Sequence, residues 1–66
     1  MAFNYSKLWK IMLDRKMRKK DLMALTGITP GTMAKMGHGR SVNLETIGRI
    51  CKVLNLNVGD IVDFVE

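Results

Sequence analysis

What limits the folds open to this chain is its punctuation. Gly27 and Thr29-Pro30, then Gly37-His38-Gly39, then Val42-Asn43, then Asn55 and Asn57 fall between short apolar-periodic stretches and cut the sequence into helix-sized pieces. Thr29 is a preferred N-cap, Pro30 fits the first helical position where a missing N–H costs nothing, and Ile28 can staple onto Met33, so a helix is predicted from Pro30 to Met36. Asn43 caps another, with Val42 facing Ile47 and a buried stripe of Ile47, Ile50, Cys51 and Leu54 that Asn55 stops. Upstream, Tyr5, Leu8 and Met12 share one face of a helix from Tyr5 to about Lys16, with Trp9 and Leu13 at one margin and Ile11 at the other. A short helix from about Lys19 to Thr26 follows, with Leu22 and Leu25 inward and Gly27 ending it; Arg18 is a poor cap for its start. A last turn, capped by Asn57 with Asp60 at its third position, carries Val58, Ile61 and Val62 inward, and residues 63–66 are left unassigned. The expected fold is all-α, a compact five-helix bundle in one domain over residues 1–66.

Size then sets how such a bundle is held. Sixty-six residues give one core, and a domain of this size buries only roughly 60% of the surface of its unfolded chain. Cys51 alone closes no disulfide, and with the single His38 it furnishes no structural zinc site, which leaves packing or a partner subunit. No metal or cofactor is expected. Hydrophobic residues make up 47% of the chain, a globular composition, but no apolar run reaches membrane-spanning length and no signal-peptide pattern opens the sequence, so a soluble, cytoplasmic protein is expected.

Charge is unevenly placed. Residues 1–41 hold nine Lys and Arg against Asp14 and Asp21, a net of +7, whereas residues 42–66 carry a net of −2. That asymmetry suits a polyanion partner, although a merely solvated basic surface has the same composition. On a helical wheel the segment after Pro30 puts Met33 and Met36 inward and Gly31, Thr32 and Lys35 outward. No paired carboxylates, nucleophile with a nearby His, phosphate-binding glycine loop or Cys/His cluster is present, so no enzyme is expected. Cys51 reads as a small hydrophobe, Trp9 and the methionines as core.

The order of these pieces, with a helix ending at Gly27, a three-residue connection and a new helix capped by Thr29, makes a helix-turn-helix. The run Lys19-Lys20-Asp21-Leu22-Met23-Ala24-Leu25-Thr26-Gly27-Ile28-Thr29, then Thr32-Met33-Ala34-Lys35-Met36, Asn43-Leu44-Glu45-Thr46-Ile47, Ile50-Cys51, Leu54-Asn55 and Gly59-Asp60-Ile61 resembles the phage-repressor/Cro (XRE-type) helix-turn-helix DNA-binding domain family over about residues 5–62. The resemblance implies a lambda-repressor-like fold that binds double-stranded DNA and regulates transcription, with the helix from Pro30 in the major groove. It places base reading on Pro30, Gly31, Thr32 and Lys35, and phosphate contacts on Arg18, Lys19, Lys20, Thr29, His38 and Arg40. Pro30 and Gly31 depart from the family pattern because neither offers a side-chain donor, which leaves Lys35 as the main reader and implies modest sequence discrimination. Family members commonly pair through the C-terminal helix, so a homodimer through Val58, Ile61, Val62 and Phe64 is expected, with Val65 and Phe3 able to join. No small-molecule ligand is indicated. The competing reading is a protein-interaction module, antitoxin-like or a co-regulator, that keeps the fold with weak or non-specific DNA binding.

Overall fold

A computed structural model describes residues 2–65. In chain order it contains β1 (Ala2–Asn4), α1 (Ser6–Asp14), α2 (Lys19–Thr26), α3 (Pro30–Gly37), α4 (Leu44–Leu54), α5 (Val58–Ile61) and β2 (Asp63–Val65). Leu8, Leu22, Met36, Ile50 and Ile61, one from each helix, are fully buried and meet at the centre.

The helix boundaries follow local chemistry. The Thr29 hydroxyl accepts from the Thr32 N–H at 3.3 Å, and the Asn43 side chain accepts from the Thr46 N–H at 2.8 Å. α2 lacks a capping side chain at Arg18, as expected, and Asp21 compensates by accepting from the Arg18 backbone N–H at 2.9 Å. α1 ends two residues short of the expected Lys16. Lys16 takes a left-handed conformation (φ 56°), and Met17 then donates to the Met12 carbonyl at 2.8 Å, closing the helix.

Three expectations need correction. The fold is not strictly all-α: β1 and β2 pair antiparallel, with Phe3 opposite Phe64. Residues 63–65 thus run extended, and Glu66 lies outside the described residues. Phe64 and Val65 favour strands, but their partner comes from the other end of the chain, which no local periodicity exposes. Leu25 is 58% exposed rather than inward, and Leu13 is 77% exposed. α2 packs on α3 and α4, with Leu22 of the helix and Ile28 of the turn after it buried in the core. Finally, the last turn differs: Val58, expected inward, is exposed, as is Phe64, while Ile61 is wholly inside the protein's own core, with Val62 partly buried against it, so Ile61 has no surface to offer a second subunit.

Candidate nucleic-acid interface

α3 has two distinct faces. Met33 and Met36 are buried, while Pro30, Gly31 and Lys35 are exposed and Thr32 is half-buried. Burying both methionines fixes the rotation of the helix about its axis, and Lys35 points outward as a consequence. At its start, Thr29 and Thr32 are joined: the Thr29 hydroxyl donates to the Thr32 hydroxyl oxygen at 3.1 Å.

The turn after α3 is tied to the N-terminal segment. The Tyr5 phenol donates to the Arg40 carbonyl at 2.8 Å, and the Phe3 N–H donates to the Gly39 carbonyl at 3.1 Å. Gly39 sits at φ +69°, and a Cβ there would come within 3.0 Å of the Phe3 carbonyl, so both backbone conformation and space call for glycine. The result is an open depression in which Lys35, His38 and Arg40 are brought together beside Ala2, Phe3 and Ser41. Sequence reasoning assigned Lys35 to base reading and His38 and Arg40 to phosphate contacts without bringing the three together, and it missed Tyr5 and Phe3 as the anchors. Tyr5 showed only as part of an apolar stripe, and nothing local marks the β1 contact.

The remaining expected contacts cluster at the start of α2. Arg18, Lys19 and Lys20 are exposed in succession there. Lys19 differs from its neighbours because its Nζ lies 5.0 Å from the centroid of the Trp9 ring. Other cations are committed to the frame. Lys7 Nζ lies 2.9 Å from Asp63 Oδ1 and donates to the Gly59 carbonyl at 3.0 Å, and the Arg15 guanidinium donates to the Leu54 carbonyl at 2.9 Å.

Among the described residues no group of three or more His, Cys, Asp or Glu is placed to hold a metal ion, and no helix is long and apolar enough to cross a membrane. Burial, and secondarily the negative charge of Asp60, push the Cys51 thiol up, opposite to the shift that activates a thiolate.

Comparison with known proteins agrees with this geometry. The model of the Cro/C1-type HTH DNA-binding domain matches residues 7–66. The crystal structure of the transcriptional regulator VanUg, in its form II, superposes with a TM-score of 0.90 at 39% sequence identity, covering 94% of this chain and 83% of that one. No curated protein matches the chain. With two buried methionines orienting α3, a capped turn before it and a family match across nearly the whole sequence, the chain belongs to the Cro/C1-type helix-turn-helix DNA-binding domains.

Proposed function

We propose that the protein is a transcriptional regulator that binds double-stranded DNA inside the cell, laying α3 in the major groove and α2 across the backbone. The observation that carries this reading is the exposure of Lys35 on the face of α3 opposite Met33 and Met36, in one depression with His38 and Arg40. Lys35 reads a base edge, and a guanine, with its two major-groove acceptors, is the base an ammonium suits. Thr32 supports it with its hydroxyl or a methyl contact to thymine, and Gly31 lets the backbone approach closely. Arg18, Lys19, Lys20, His38 and Arg40 contact phosphates. Thr29, whose hydroxyl is already spent on Thr32, contributes mainly by fixing the start of α3.

Discrimination is modest, because Pro30 and Gly31 bring no donor to the groove. Two copies bind as a symmetric dimer to half-sites about 34–36 Å apart. Val58 and Phe64 offer the exposed apolar surface for that pairing, with Val65 beside them and Val62 at the margin.

Selection of bound duplexes from a random pool tests the reading. An enriched palindrome is expected. Binding should also weaken with salt: if Arg18, Lys19, Lys20 and Arg40 each meet one phosphate, log K falls against log salt with a slope of about −3.6 per subunit. No enriched sequence together with a flat salt response would overturn it and favour a protein partner for the same face.

A further inference from the structure

Lys19 occupies the first position of α2, where unpaired N–H groups form a positive end that repels an ammonium. Its side chain nevertheless lies against groups that suit a cation. Nζ lies over the Trp9 ring, and beside Gly37, the last residue of α3, where an added Cβ would sit 3.8 Å from it. Both neighbours attract a cation: indole is the best aromatic partner for one, and a helix C-terminus carries partial negative charge. Met12, Leu13 and Met17 line an open, largely apolar groove with the pair. Among the described residues no other cation is stacked on a ring.

We propose that Trp9 is a positioning residue for Lys19, holding its ammonium at the seam between α1, α2 and α3 so that a DNA phosphate meets a cation already in place. This rests on reading Lys19 as a phosphate contact. A free lysine must give up rotamer freedom when it binds, whereas one held over a ring has given it up on folding. Losing the indole therefore weakens binding without changing how many counterions are released, and that separates positioning from charge.

The test uses the full chain, a defined DNA duplex and four variants: Trp9→Leu, Trp9→Phe, Lys19→Met and the Trp9→Leu/Lys19→Met double. Trp9→Leu is expected to weaken binding about two- to fivefold with the salt slope unchanged, and Trp9→Phe to fall between it and the wild type. Lys19→Met should make the slope shallower by about 0.9, and in that background Trp9→Leu should add nothing. An undiminished effect of Trp9→Leu in the double variant would overturn the proposal, because Trp9 would then act only through packing. NMR of the DNA-free protein gives a separate readout that does not need the leucine variant to fold. The Lys19 ε-methylene protons should be shifted upfield by the indole ring current; ordinary lysine shifts would overturn the contact itself. An upfield shift with unchanged affinity and slope in Lys19→Met would instead overturn the phosphate role on which the proposal stands.

Discussion

Two sets of cations divide this small surface. Lys7, Arg15 and Arg49 are each answered by a protein acceptor: Asp63 and the Gly59 carbonyl, the Leu54 carbonyl, and Glu45 at 3.4 Å. Arg18, Lys20, Lys35 and Arg40 are exposed, and among the described residues none of their side chains forms an ion pair. Within the answered set Lys7 ties α1 to the β2 strand and Arg15, the residue after α1, ties it to the end of α4, whereas Arg49 pairs with Glu45 inside α4. These four lie in or beside the helix-turn-helix, where like charges repel and lower stability slightly; Lys10, Lys16 and Lys52, also exposed and without an ion pair among the described residues, lie outside it. Under the proposed function, the first set serves stability and the second is left for an external anion.

The sharpest way to break this division is Lys35→Ala. On the preferred duplex it should cost about 1–3 kcal/mol and relax preference at one base pair, whereas Lys20→Ala should weaken all duplexes alike and make the salt slope shallower by about 0.9. Titrations of both variants on selected and random duplexes check this. Equal losses on the two duplexes for Lys35→Ala would remove it from the reading role, and a comparable loss in Arg49→Ala would erase the division altogether.

A somewhat smaller effect is expected where the two sets meet the backbone. Gly39→Ala places a side chain at a positive φ and a Cβ against the Phe3 carbonyl, and should lower unfolding free energy by about 1–2 kcal/mol in urea titration. Because Gly39 lies between His38 and Arg40, DNA affinity measured on the folded fraction should fall as well. Tyr5→Phe removes the other tie and should cost about 1 kcal/mol. Burial raises the Tyr5 pKa, so its neutral phenol is favoured by the fold. That contribution is therefore complete below the unfolded value of about 10 and is lost as pH rises through the higher folded value. Stability curves of wild type and Tyr5→Phe should be parallel at neutral pH and converge in alkali. Parallel curves throughout would mean that the phenol does not hold the Arg40 turn.

How far the sequence spoke for itself depended on the range of the interaction. Thr29 and Asn43 cap their helices through groups three residues away, and Asn55 stops α4 by turning left-handed at φ 57°; both are local events, and both were legible. The outward direction of Lys35 was legible too, because a wheel relates residues of one helix. The wheel does not say how far a neighbouring element reaches across a face, so Leu25, read as one of an inward pair, and Leu13, read at the margin of a broad buried face, were misplaced. Contacts between separate elements were the least accessible. The pairing of Phe3 with Phe64, the tie from Tyr5 to Arg40 and the placement of Lys19 on Trp9 all depend on helix angles and chain closure that one-dimensional periodicity does not contain.

The smallest effect belongs to the answered set. Lys7→Met keeps most of the side chain's apolar stem and removes the charge that meets Asp63. Both partners are about half exposed, at 49% and 48%, so solvent screens the pair and the loss should stay below about 1 kcal/mol. It should shrink further at 1 M salt, where the Debye length is only about 3 Å. The hydrogen bond to the Gly59 carbonyl disappears with the same substitution, so a residual cost that survives high salt belongs to that bond. DNA affinity and salt slope should match the wild type, since an ammonium already neutralised by Asp63 releases no counterion from a phosphate. A slope shallower by a full contact in Lys7→Met would mean that the DNA reaches α1, and that the ion pair with Asp63 opens to let it.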